Sequence, residues 1–173
     1  MLVLNREQIE ELIEKHQLVS EFVNLYKQLT PNGFDVTLKK VYKITGSGCL
    51  DFNNKERVIP ESVEIDPIKK SCEDEYGWWH LDKGIYKVKS NEMFKMPLDL
   101  IAIAMPRSSL NRMGATVFTG FWDAGFEGKA EFLLNVMNEK GIDIKENARI
   151  IQLVFLKMDK TKQGYDGIHK HLK

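Results

Sequence analysis

What most constrains the fold of this chain is the way residues 34–156 are cut into short strand-like runs by turn residues. Phe34, Val36 and Leu38 alternate with Asp35, Thr37 and Lys39, the period of a half-buried strand in which Asp35 faces away from the apolar set. Further short runs follow at residues 41–45, 57–59, 63–65, 84–88, 100–105, 129–136 and 148–156, with Gly, Pro, Asn and Asp between them. Many short strands separated by turn signals specify a mainly β fold, a barrel or a sandwich. The length of 173 residues suits one domain, residues 1–173, with room for a real core.

Ahead of the strands, residues 5–29 carry a helical pattern. Asn5 is a good N-cap with Gln8 three residues on, and Ile9, Leu12, Ile13, Phe22, Val23, Tyr26 and Leu29 recur at three- and four-residue steps. His16 and Ser20 interrupt the stripe, so this segment, residues 1–29 of the domain, reads as one helix or two. Its apolar face suits docking onto the rest of the domain or a neighbouring subunit and carries no chemistry. Thr30-Pro31-Asn32-Gly33 stops it. At the other end, residues 160–173 read as a polar, mobile tail.

Lys plus Arg and Asp plus Glu both number 25, so the formal charge is zero and nothing global attracts nucleic acid. An anionic ligand has to be gripped by a local cluster. Cys49 and Cys72 have no CxxC partner and no His at zinc-finger spacing, which reads as reduced thiols in a cytoplasmic protein. The start turns charged within a few residues, and no apolar run approaches 20 residues, so neither a secretion signal nor a membrane partner is expected.

The candidate chemistry is concentrated in residues 106–128, PRSSLNRMGATVFTGFWDAGFEG. Arg107, Ser108 and Ser109 follow directly on the apolar run 100–105 and offer fixed donors to an anion, the guanidinium fork suiting phosphate. The same serines can instead cap a short helix through Leu110 to Met113, with Arg107 and Arg112 solvated. Residues 116–122 read as a hairpin-like segment, broken by Gly125 and Gly128 around Phe126. Asp123, in that tight turn after Trp122, is a candidate general base for water, although Asp is also a common turn residue. Gln152 stands mid-strand in an apolar run and must find a partner in a ligand, a neighbouring subunit or the backbone, because an unpaired buried amide costs about 1–3 kcal/mol. Trp78, Trp79 and His80 invite a base-stacking role, but aromatic residues beside a glycine more often fill core or subunit contacts. His169 and His171, two ligands on a loose tail, do not make a metal site.

Pro-Arg-Ser-Ser-Leu-x-Arg-x-Gly followed closely by Trp-Asp-x-Gly-Phe-x-Gly resembles the second and third motifs of the homotrimeric dUTPase and dCTP deaminase superfamily, closest to its archaeal-type dUTPases. Pro-Asn-Gly-Phe-Asp-Val at residues 31–36 resembles the first motif and Ala-Arg-Ile-Ile-Gln-Leu-Val-Phe at residues 148–155 the fourth, so the likeness spans about residues 31–167. It implies a distorted, jelly-roll-like β-barrel, a homotrimer with active sites at subunit interfaces, and hydrolysis of dUTP to dUMP and pyrophosphate, with Mg²⁺ carried mainly by the triphosphate. The resemblance gives each residue a role. Asp123 activates the water; Arg107, Ser108, Ser109, Arg112 and Gln152 hold the phosphates; Asp35 lies near the metal through water. Phe126 packs on the sugar where a 2′-hydroxyl would clash, backbone groups of Thr116, Val117, Thr119 and Gly120 read the uracil, and Tyr165 belongs to a tail that folds over the nucleotide. Two positions depart from the pattern. His169 replaces the second aromatic of the tail, and Leu133 stands ten residues after Asp123, where dCTP deaminases carry the Glu that activates water against the cytosine ring. A leucine cannot relay a proton, so dCTP deamination, alone or beside dUTP hydrolysis, is the less favoured alternative. Glu131, two residues earlier on the same strand face, substitutes only through a register shift. A non-catalytic nucleotide-binding regulator on the same fold is the remaining reading.

Overall fold

The structure, a computed structural model, describes residues 2–170; Met1 and the last three residues, His171 among them, lie outside. In chain order the elements are β1 (Leu2–Val3), α1 (Arg6–His16), β2 (Val19–Ser20), α2 (Leu25–Gln28), β3 (Leu29–Thr30), β4 (Gly33–Ile44) and β5 (Ser62–Ile65). They continue with β6 (Trp78–Leu81), β7 (Gly84–Lys95), β8 (Leu100–Pro106), α3 (Ser108–Arg112), β9 (Ala115–Phe118), β10 (Glu127–Val136), β11 (Ile142–Lys145) and β12 (Arg149–Lys157).

The strands pair antiparallel in a sheet ordered β1-β12-β4-β7-β10-β9, with β8 on the other edge of β12. The sheet curls until β8 meets the chain beyond β9. There Ala102 and Trp122 exchange both backbone hydrogen bonds, at 3.0 and 3.1 Å, which ties the two ends of the curl together. The expected mainly β, barrel-like fold is therefore present. Its inside is filled by alternate residues of the long strands, among them Phe34, Leu38, Phe94, Leu134, Ile151 and Phe155, all fully buried. Each such side chain removed from water contributes about 1.5–3 kcal/mol.

β4 departs from the half-buried alternation read from its sequence. Residues 33–38 are buried, Asp35 and Thr37 included: β12 and β3 pair along the edges of β4, α2 packs against it with Gln28 donating to the Asp35 carbonyl, and Glu92 of β7 covers Thr37. Nor does the strand break before residue 41. It runs on through a register shift between Leu38 and Lys40. The polar groups this buries are all engaged. Glu92 accepts hydrogen bonds from the Thr37 N–H (3.0 Å), the Thr37 hydroxyl (2.5 Å) and Gln28 Nε2 (2.6 Å).

At the N-terminus α1 begins where the sequence indicates, with Asn5 and Gln8 closing a capping box. The helical pattern then stops early. Gln17 takes a left-handed backbone (φ 54°), β2 pairs with β7, and α2 is a single turn that leaves Val23 and Tyr26 exposed. Tertiary pairing with β7 outweighs local periodicity there. Residues 57–59 form no strand, since Val58 makes only an isolated bridge with Cys49. Conversely, β6 and β11 pair where no regular pattern was read. Trp79 is buried there and donates to the Ile65 carbonyl at 2.7 Å, while Trp78 lies beneath the Lys70 ammonium, so the aromatic cluster fills the core and its surface.

The tail, read as loose and polar, is docked over much of its described length. Thr161 N–H donates to the Leu98 carbonyl and Tyr165 N–H to that of Ala124, at 3.0 and 2.8 Å. Among the described residues no helix is long and apolar enough to cross a membrane.

Candidate active site

β10 carries an irregularity that aims its side chains. Between Lys129 and Glu131 the register with β7 shifts, and the Ala130 N–H donates to Ser90 Oγ instead of the strand ladder. Beyond the shift Phe132, Leu134 and Val136 enter the core, leaving Glu131 and Leu133 on the outer face. Over that face lies a cavity of about 470 Å³, lined among others by Asp123, Phe126, Glu131, Leu133, Lys87 and Tyr165.

Asp123 is exposed at the cavity wall, in the turn closed by the Phe126 N–H to the Asp123 carbonyl at 3.1 Å. Gly125 makes this turn possible. Its φ is +82°, and a Cβ on it would lie 2.8 Å from Gly164 Cα of the docked tail. Phe126 and Tyr165 meet edge to face with ring centroids 5.7 Å apart, so the ring expected against a sugar is braced by the tail tyrosine. Gly120 and His169 also line the cavity.

A second constellation is built on β4 and β12. Asp35 and Gln152 are paired across these strands, and Asp35 Oδ2 lies 3.1 Å from Arg107 Nε and 3.3 Å from Arg149 Nη1. Arg107 Nη1 also donates to the Arg149 carbonyl (3.3 Å), and Arg149 Nη1 to the Lys27 carbonyl (2.5 Å). Burial pushes the Asp35 carboxyl above the usual carboxylate range, against the opposing pull of the two guanidinium groups. Gln152 finds its partner in a side chain, donating from Nε2 to Thr30 Oγ1.

The serines do not act as caps. Arg107 occupies the N-cap of α3 without any side-chain capping bond, leaving Ser108, Ser109 and Arg112 exposed. The segment 116–122 is not a hairpin either. β9 instead pairs antiparallel with the next strand, β10, and the long connection between them bridges to Ala102 through Trp122. β9 ends the sheet order, so half of its backbone groups point away from β10. Val117 sends its side chain into the core, which leaves only its backbone for recognition.

Within the chain, then, Asp123, Gly120, Phe126 and Tyr165 share the cavity, while Arg107, Ser108, Ser109, Arg112, Gln152 and Asp35 do not line it, nor do Thr116, Val117 and Thr119. Sequence reasoning missed Arg149, although it stands in the Arg-Ile-x-Gln run, and Lys87, whose strand pattern carries no chemical signature. No group of three or more His, Cys, Asp or Glu able to hold a metal ion occurs among the described residues. The two guanidinium groups beside Asp35 suit phosphate oxygens, so a divalent cation would be held here through the phosphates and water and not by this carboxylate directly.

A family model described as dCTP deaminase-like matches residues 3–158. A probable deoxyuridine 5′-triphosphate nucleotidohydrolase of Archaeoglobus fulgidus is 44% identical over 98% of this chain and 96% of its own length. A deoxyuridine 5′-triphosphate nucleotidohydrolase of Methanocaldococcus jannaschii is 40% identical over 83% of this chain and 88% of its own. The solved 2′-deoxycytidine 5′-triphosphate deaminase of Agrobacterium tumefaciens aligns with 88% of this chain at a TM-score of 0.63 and 21% identity, a likeness of fold alone; the match covers 47% of that longer chain. This chain therefore belongs to the dCTP deaminase-like family, alongside the archaeal deoxyuridine 5′-triphosphate nucleotidohydrolases it resembles over nearly its full length.

Proposed function

We propose that the protein hydrolyses dUTP to dUMP and pyrophosphate. The observation that carries this reading is the cavity itself, where Asp123 faces a nucleotide-sized space and the wall carries Leu133, the residue at the position where the resemblance puts the acid of ring deamination. The archaeal relatives named for the same hydrolysis support it.

In the proposed reaction Asp123 takes a proton from a water molecule, which attacks the α-phosphorus in line as the bond to the bridging oxygen breaks and pyrophosphate leaves. Arg107, Arg149 and Gln152 bind the phosphate chain with α3 and its serines, and Asp35 holds both guanidinium groups in place. Mg²⁺ bound through the triphosphate supplies charge neutralisation to the leaving pyrophosphate. Phe126 packs on the deoxyribose, the free edge of β9 reads the base, and Tyr165 closes the cavity from the tail.

The base and the phosphate-binding arginines occupy separate regions of one protomer, which supports a homotrimer with sites completed by neighbours. Exposed Met105, Phe118 and Phe121 supply apolar contact surface for that assembly. The exposed free thiols of Cys49 and Cys72 fit a cytoplasmic location.

Glu131 does face the cavity, but its carboxylate is engaged by Lys87 (3.4 Å) and Lys89 (3.5 Å), and the register shift ahead of it leaves Leu133 on the same wall. Parallel incubation with dUTP and dCTP tests the reading. Pyrophosphate from dUTP, and no deaminated product from dCTP, is expected; binding of dUTP without turnover overturns it.

A further inference from the structure

The cavity is lined by two ammonium groups that differ in how their donors are engaged. Lys129 Nζ donates to Glu21 Oε2 and to the Asn91 carbonyl, both at 2.6 Å, and its side chain is almost fully buried. Lys87 is 30% exposed; its Nζ stands 3.4 Å from Glu131 Oε2 and 4.7 Å from the centroid of the Tyr42 ring. An ammonium carries three N–H donors and no acceptor. The ion pair and the ring contact hold the ammonium without engaging all three, so a donor remains for a ligand.

Strand register fixes where that donor stands. Lys87 is directly opposite Leu133, Leu133 is opposite Phe118 of the edge strand β9, and Tyr42 is opposite Lys87 on its other side. Residues paired in this way share one face of the sheet, so the ammonium sits beside the apolar Leu133 wall, one strand in from the backbone edge of β9. Glu131 lies opposite Lys89 and holds the Lys87 ammonium over the ring.

We propose that Lys87 is a specificity-determining residue that donates a hydrogen bond to the position-4 carbonyl of the uracil ring, with Glu131 as its positioning residue. This rests on the dUTP reading above. Position 4 is the edge at which the two common pyrimidines differ: uracil presents an oxygen acceptor and cytosine an amino donor. A donor-only cation matches the first and opposes the second. Leu133 offers the rejected amino group no acceptor, and Glu131 is engaged by two lysines. In a half-buried, partly apolar cavity such a mismatch discriminates strongly.

The test compares wild type and Lys87→Met on dUTP, dCTP and the deoxynucleoside triphosphate of pyrimidin-2-one, which lacks the position-4 oxygen. Met keeps the aliphatic packing on Tyr42 and removes the donor. Wild type is expected to favour dUTP over the pyrimidin-2-one by about tenfold or more in kcat/KM. Because pyrimidin-2-one also turns N3 from donor to acceptor, Lys87→Met is expected to narrow that preference several-fold through a fall on dUTP alone, with its unfolding temperature unchanged, and Lys87→Arg to restore part of it. Glu131→Gln is expected to lose part of the preference, as loosened positioning requires. Retention of the full preference in Lys87→Met overturns the proposal, as does equal use of dUTP and the pyrimidin-2-one by wild type, a measurement that needs no variant to fold. Failure of wild type to hydrolyse dUTP at all sinks the dUTP reading itself.

Discussion

Around Asp35 the chain folds its charges onto one another, whereas around Asp123 it leaves them facing an open cavity. The carboxylate on β4 is buried and held by two arginines from the β12 side of the sheet, each further tied to a backbone carbonyl. Asp123 sits in an exposed glycine turn that the tail braces from outside. The first arrangement is set by the strand ladder, whose ion pairs form without a ligand. The second depends on segments far apart in sequence, residues 123–126, β7, β10 and the tail, meeting around one space. Under the proposed reaction the difference teaches a division of labour: the paired region would supply the cations, and the open region the base and the shape of the nucleoside site.

The sharpest way to break this comparison is Asp123→Asn. Its turnover of dUTP is expected to fall by about 10²- to 10⁴-fold, with nucleotide binding by calorimetry nearly intact. Wild-type turnover in this variant removes Asp123 as the base. Mixing protomers is the next test. Asp123→Asn and Arg107→Ala, each inactive or weak, should regain activity when co-assembled, since random pairing in equal amounts restores roughly a quarter of shared interfacial sites. No recovery means that both groups act within one protomer. Arg107→Ala alone is expected to raise the KM for dUTP by about tenfold and to destabilise the fold by about 1–3 kcal/mol in urea unfolding, because Asp35 loses one of its two cations while remaining buried.

The smallest effect is a pH dependence in the polar layer behind Asp35. Burial holds the Glu92 carboxyl above its ordinary 4.5, even with three hydrogen bonds opposing the shift. A raised carboxyl favours the fold below the unfolded value and loses that advantage as pH rises through the folded one. The stability of wild type relative to Glu92→Gln should therefore be greatest near pH 4.5 and shrink as pH climbs. Urea unfolding over pH 4.5–8 checks this, and a difference that grows with pH contradicts it.

Much of the fold was legible because strands and caps are written locally. The strand through Phe34, Val36 and Leu38, the apolar run of β8 and the Asn5–Gln8 capping box all appear where the sequence puts them, although β4 is buried on both faces there. The readings that failed were those in which a distant partner outranked local pattern. β2 took residues from the helical stripe, β9 paired with β10 instead of folding back within residues 116–122, and the tail found Ala124 and Leu98 to bind. The site was legible to the same extent. Asp123, Phe126 and Tyr165 announced themselves through glycine-rich turn chemistry and resemblance, and they do line one cavity. Lys87 did not, because an ordinary lysine acquires meaning only once register sets it beside Leu133 and Glu131.

By itself, then, the sequence determined the β class, the turns that hold Asp123 and the chemical types at each motif, because backbone preference and residue chemistry act over a few neighbouring positions. Only the tertiary structure decided that Asp35 clamps two arginines, that Gln152 bonds Thr30, and that Asp123 and those arginines stand apart within the chain. Those outcomes follow from strand order and register, which arise when contacts far apart in sequence compete to bury one common core.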